Sequence, residues 1–165
     1  MIISSDTNIW FDFEEIGHLE YPFLLNNSYY ISDLTFEEEI QESQAIKNCV
    51  YTNKLLITSV SSNELNHAEK LHRKHSNISI YDSISLTIAK NRGWILLSGD
   101  GSLREASIKE KVECHGSLWI YDQLIEQELI SKECRKEFLT KLYEAVESKK
   151  RRLPLSEITK RINEI

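Results

Sequence analysis

Short, β-branched apolar runs alternate along this chain with longer stretches of helical character, and that alternation limits its folds more than any other feature. Met1 to Ser5 is a short apolar run that stops at Asp6-Thr7-Asn8, which reads as a buried strand meeting a loop. Residues 9–26 predict a helix or helical turn, then a loop. Tyr29 to Ser32 predicts a second strand, and Asp33 to Asn48, rich in Glu and Gln, a helix. Leu55 to Val60 predicts a third strand. Ser61 and Glu64 have the spacing of a capping box, so a helix is expected from there to His75. The segment from Ile80 is helical and closes at Lys90-Asn91-Arg92-Gly93. Trp94 to Leu97 predicts a fourth strand, Ser98-Gly99-Asp100-Gly101 a turn, and Ser102 to Lys111 a helix. Ser117 to Tyr121 predicts a fifth strand. Residues 122–130, 132–149 and 155–165 predict helices, with a break at Leu153-Pro154. The order argues for an α/β fold with a mostly parallel sheet.

A chain of 165 residues, 41% apolar and 28% charged, has the size and balance of one soluble globular domain. Apolar runs such as Trp94 to Leu97 fall far short of the ~20 residues a membrane span needs. Met1 to Asp6 has no basic n-region, so a cytoplasmic location and no membrane partner are expected. Cys49, Cys114 and Cys134 have no C-x-x-C spacing, which argues against a disulfide framework or a cysteine zinc site and for buried free thiols. The net charge of −6 is unevenly spread: residues 1–130 carry −10 and residues 131–165 carry +4. The densest basic block, Lys149-Lys150-Arg151-Arg152, suits either phosphates and acidic partners or the solvated end of a helix.

In parallel α/β sheets, ligands sit at the carboxyl ends of strands near the topological switch point. Asp6 follows the first predicted strand and Asp100 the fourth. Asp82 stands at the entrance of a helix, and Glu37-Glu38-Glu39 lies in the helix after the second strand. Taken singly, each acid is an ordinary cap or turn residue. Gathered at one rim they would repel: a pair about 4 Å apart costs roughly 1 kcal/mol in water and about 4 at an effective dielectric near 20. No Lys or Arg cluster lies beside them in sequence, so bound cations or protons must compensate. Carboxylate donors without thiolates suit Mg²⁺ or Mn²⁺, and such ions commonly serve phosphoryl transfer.

Other chemistries find less support. The chain has no phosphate-binding G-x-x-x-x-G-K loop, and Gly99-Asp100-Gly101 is not a dinucleotide fingerprint. No G-x-S-x-G or Cys–His arrangement suggests a covalent hydrolase. A phosphatase of the haloacid dehalogenase type, with Asp6 as nucleophile, wants an Asp two residues on, where this chain has Asn8. A phosphoacceptor receiver domain wants its acidic pair ahead of the acceptor. His67, His72 and His75 read as a solvated helix, and His18 and His115 are isolated. Trp10, Phe11 and Phe13 follow the first acid closely and suit core packing or, secondarily, stacking on RNA bases. Trp94 and Trp119 lie in predicted strands and are expected in the core.

Four pieces, in order, resemble the PIN domain, a family of metal-dependent ribonucleases: Ser5-Asp6-Thr7-Asn8, Ile31-Ser32-Asp33-Leu34-Thr35-Phe36-Glu37-Glu38, Asp82 through Lys90, and Leu96-Leu97-Ser98-Gly99-Asp100. The resemblance covers about residues 2–122 and implies a three-layer α/β fold, with a central, mostly parallel five-stranded sheet flanked by helices. Residues 1–125 would form the nuclease domain, and 126–165 a helical extension packed on it. It implies that Asp6, Glu38, Asp82 and Asp100 are the catalytic, metal-binding acids for Mg²⁺ or Mn²⁺, supported by Asn8 and Ser98. Leu34 and Phe36, four and two residues earlier, favour Glu38 over Glu39. The implied reaction is hydrolysis of an RNA phosphodiester by a metal-activated water, leaving a 5′-phosphate, with Lys90 and Arg104 near the RNA. Many small members are toxins of bacterial toxin–antitoxin pairs, which implies a protein antitoxin and a homodimer. The rival reading is a catalytically inactive PIN-like interaction protein, which would suit a chain that had lost one of the acids.

Overall fold

The structure is a computed structural model that describes residues 1–148 and 153–164, so the basic block Lys149-Lys150-Arg151-Arg152 lies outside the described residues. Five strands form one sheet: β1 Ile2–Ser5, β2 Ser28–Ser32, β3 Leu55–Thr58, β4 Ile95–Leu97 and β5 Cys114–His115. Their spatial order is β3-β2-β1-β4-β5, and every pairing is parallel. Parallel strands buried on both faces read as continuous apolar or small residues, as β1 does with Ile3, Ser4 and Ser5 all buried. The described helices are α1 Thr7–Glu15, α2 Asp33–Glu39, α3 Gln44–Tyr51, α4 Ser62–Lys74, α5 Ile80–Arg92, α6 Gly101–Lys109, α7 Ser117–Glu126, α8 Lys132–Glu147 and α9 Leu155–Asn163. No described helix is long and apolar enough to cross a membrane.

Several elements depart from the sequence expectation. The segment from Asp33 to Asn48 forms two helices, because Ser43 caps a new one by accepting the Ile46 N–H. Residues 117–121 are helical rather than the fifth strand. Ile120, Tyr121 and Leu124 recur at helical spacing on one buried face, and a short apolar run does not distinguish that stripe from a strand. The fifth strand is instead Cys114–His115, and the helix expected over 122–130 merges into α7. Trp94 and Trp119 are therefore half-buried flanking residues, and the three thiols are likewise only half-buried. Trp10 and Phe13, by contrast, are fully buried.

The main core joins the sheet to the later helices. Trp10 and Phe13 of α1 share it with Phe138, Leu139 and Leu142 of α8 and Ile158 of α9. Each such side chain contributes about 1.5–3 kcal/mol when fully buried. On the other side of the sheet, α5 is buried from Ser83 through Ala89, so it is a central helix without a solvent face over that stretch. Small Ser4 and Ser85 let it approach β1, and the Ser4 hydroxyl donates to the Ser85 carbonyl at 3.0 Å.

His75 is not the solvated histidine that the sequence suggests. Its Nε2 lies 2.7 Å from Glu110, whose side chain is 4% exposed and also takes Lys74 at 2.7 Å and Lys90 at 2.5 Å. Burial alone would raise the Glu110 pKa, but the bonds from Lys74, Lys90 and His75 outweigh it and hold the carboxyl at about 2. This knot ties the ends of α4, α5 and α6. Its stabilisation is fully present above the unfolded value near 4.5 and is lost as pH falls towards 2. Glu110→Gln is expected to lower stability by roughly 2 kcal/mol at neutral pH, less than a fully buried pair would cost, because two of the cations can return to water. A urea midpoint equal to wild type would contradict this role.

Candidate active site

The strand order places the switch point at β1 and β4: β2 and β3 extend to one side of β1, and β4 and β5 to the other. Asp6 lies one residue past β1 and Asp100 three residues past β4. The Asp6 N–H donates to the Leu97 carbonyl at 3.0 Å, so the two strand ends are stitched together. Asp6 is the N-cap of α1 and Asp100 the N-cap of α6. Asp82, in the first turn of α5, closes a capping box by accepting the Ser79 N–H at 2.7 Å. All three carboxylates thus sit where helix dipoles favour negative charge. Capping and ion binding are compatible, since a carboxylate has about four lone-pair sites and the Asp82 and Asp100 caps use only part of them.

Asp6 is the most enclosed of the set, at 2% exposure. Ser98 Oγ donates to its Oδ2 at 2.8 Å, Asn8 Nδ2 approaches the same oxygen at 3.3 Å, and the Asn8 N–H donates to Oδ1 at 3.3 Å. Burial, followed by the negative charge of Asp82, pushes the Asp6 pKa up to about 6 despite those hydrogen bonds. Asp82 is itself raised, by burial first and by the charge of Asp100, against the bonds from Ser79. Glu39 is raised by burial, with a Thr7 hydrogen bond opposing and the charge of Asp82 adding to the rise. Asp82 therefore sits at the electrostatic centre, within interaction range of Asp6, Glu39 and Asp100.

The glutamate at this rim is Glu39 and not Glu38. Thr35 faces inward on α2, 1% exposed and bonded to Ser32. Glu39 is four residues on and shares that face, whereas Glu38 is turned about 100° away and is exposed. Thr7 Oγ1 donates to Glu39 Oε2 at 2.7 Å and lies 3.3 Å from Asp6 Oδ1. A hydroxyl has one proton, so the shorter contact holds it and Thr7 acts as a spacer between the two acids.

Two further contacts were not anticipated from the sequence. Asp12, 5% exposed, accepts a hydrogen bond from Ser117 Oγ at 2.7 Å. A side chain at Gly99 would stand 3.2 Å from the same Asp12 oxygen, so the glycine gives that carboxylate room beside the rim. Asn8 and Asp12 are four apart on α1, the one sequence signal for this position. Of the two cations expected near the RNA, Lys90 is committed to Glu110. Arg104, in α6, lies over Gly116, next to the end of β5.

Among the described residues, no three His, Cys, Asp or Glu groups are already drawn together as a ligand set for an ion. The donor chemistry nonetheless fits a hard divalent cation. Asp6, Glu39, Asp82 and Asp100 offer only oxygens, Asp82 interacts unfavourably with each of the other three, and none of the four has a Lys or Arg ion-pair partner among the described residues.

Neither the curated proteins nor the solved structures yield a significant match to this chain. A sequence model for the PIN domain does match, over residues 1–164. PIN domains are generally nucleases and typically bind divalent metals. That match spans nearly the whole chain, and the parallel sheet with its acid-lined switch point is the architecture it implies: the chain belongs to the PIN domain family.

Proposed function

We propose that this protein is a Mg²⁺- or Mn²⁺-dependent ribonuclease that hydrolyses RNA phosphodiester bonds and leaves a 5′-phosphate. The observation that carries the reading is the repulsion of Asp82 with Asp6, Glu39 and Asp100 at the switch point, with no Lys or Arg ion-pair partner among the described residues to relieve it. Asp6, Glu39, Asp82 and Asp100 would hold the ion. When bound, a divalent ion lowers the pKa of water and neutralises charge developing on phosphate. Ser98 and Asn8 fix the Asp6 carboxylate, Thr7 fixes Glu39, and the Ser79 N–H fixes Asp82. These partners hold the oxygens in place, so little reorganisation is needed when the substrate phosphate arrives. The biological setting that accompanies this reading is a cytoplasmic toxin, acting as a homodimer and restrained by a protein antitoxin.

The test is cleavage of a labelled single-stranded RNA by the purified chain. EDTA is expected to slow cleavage by about a hundredfold or more, and added Mn²⁺ to restore it. A rate indifferent to chelation overturns the metal-dependent reading. Absence of any cleavage with Mg²⁺ or Mn²⁺ present favours the non-enzymatic interaction protein.

A further inference from the structure

Beside the acidic rim lies a second group of side chains that the metal chemistry leaves unused. β5 pairs with β4 so that the Ser98 N–H donates to the His115 carbonyl at 2.8 Å, and Ser98 in turn bonds Asp6. His115 is therefore two hydrogen bonds from the most enclosed acid. Its ring stacks on Trp119 with centroids 4.4 Å apart and planes 10° from parallel. Both residues are only half-buried, unlike Trp10, which is sealed in the core. The His115 side chain keeps 26% of its surface exposed, and its Nε2 is oriented by Glu113 at 2.8 Å.

Arg104 completes the group. Its guanidinium lies so close to Gly116 that a side chain there would meet Nη1 at 2.9 Å, so the glycine lets the cation settle against the end of β5. Among the described residues this guanidinium forms no ion pair or hydrogen bond. An exposed, unpaired cation in a molecule of net charge −6, one turn past Asp100, is suited to a phosphate. Exposed stacked rings and a basic group along one groove are the features by which single-stranded nucleic acid is bound without a base code, and here the guanidinium lies against Gly116, the residue that follows His115.

We propose that the His115–Trp119 pair and Arg104 hold the RNA segment next to the cut, the rings stacking on a nucleobase and the guanidinium pairing with a backbone phosphate. This rests on the ribonuclease reading above. It assigns to β5 and the first turn of α7 the substrate-holding task that the buried Trp10 and the committed Lys90 do not perform.

The experiment uses the full chain with Mn²⁺ and a short fluorescein-labelled single-stranded oligoadenylate RNA. His115→Ala and Trp119→Leu are expected to raise KM about tenfold with kcat changed less than about twofold. Arg104→Gln is expected to weaken binding and to lower the slope of log affinity against log salt by about 0.7, the value for one single-strand phosphate contact. Trp119 touches the core, so a loss of stability in its variant is unrelated to RNA. His115→Ala and Arg104→Gln, at half-buried and exposed positions, keep the test decisive. Wild-type cleavage together with wild-type KM and salt slope in both of these variants overturns the proposal while the ribonuclease reading stands. Failure of the wild-type chain to cleave overturns both.

Discussion

Asp6→Asn is expected to reduce RNA cleavage by about a thousandfold while leaving the protein folded. Loss of an ion's charge stabilisation is worth several kcal/mol, and each ~1.4 kcal/mol is tenfold in rate. The fold survives because Asn caps a helix about as well as Asp, so the start of α1 is kept, and because the substitution preserves shape within the Ser98 and Asn8 contacts. The same change acts on stability in the opposite direction. In the metal-free wild type the folded state raises the Asp6 pKa from 3.8 to about 6. The folded protein then binds the Asp6 proton more tightly than the unfolded chain does. Stability must fall as pH rises from about 4 to 6, and above that range the full cost of roughly 3 kcal/mol is carried. Asp6→Asn removes that cost, so without metal at pH 7 it should melt above wild type and lose this pH dependence. Mn²⁺ should raise the melting temperature of wild type far more than that of the variant. A variant that cleaves RNA at the wild-type rate, or gains as much from Mn²⁺, would defeat the assignment of Asp6.

Glu39→Gln and Glu38→Gln separate neighbouring residues. Glu39→Gln is expected to lower kcat about a hundredfold, since it withdraws one charge from the set around Asp82 and changes the partner of Thr7. Glu38→Gln is expected to leave the rate within about twofold, because Glu38 is exposed on the outward side of α2. A loss confined to Glu38→Gln would return the site to the register favoured by the sequence, and equal losses in both variants would overturn the distinction between the two glutamates. Steady-state kinetics on one RNA substrate decides between these outcomes.

Much of the architecture was open to direct reading. The capping box at Ser61 and Glu64 formed as spaced, and Gly93 closes α5 in the left-handed conformation that its position required. Strands ending at Ser5 and Leu97 placed Asp6 and Asp100 at one rim because a parallel sheet has all its carboxyl ends on the same side. Local spacing failed where two structures share one pattern. Leu118-Trp119-Ile120-Tyr121 is too short a run to separate strand from helix, and only its packing against the core made it a helix.

Sequence alone determined the fold class, the order of the acids and the chemistry of their oxygens, because these depend on residue type and on short-range periodicity. Tertiary structure decided that Glu39 and not Glu38 meets Thr7, that Lys90 serves Glu110, that His115 stacks on Trp119, and that Arg104 lies against Gly116. The reason is geometric. One residue turns a helix by about 100°, and contacts such as Thr7 with Glu39 or Asp12 with Ser117 join segments whose separation in the chain carries no record of their meeting.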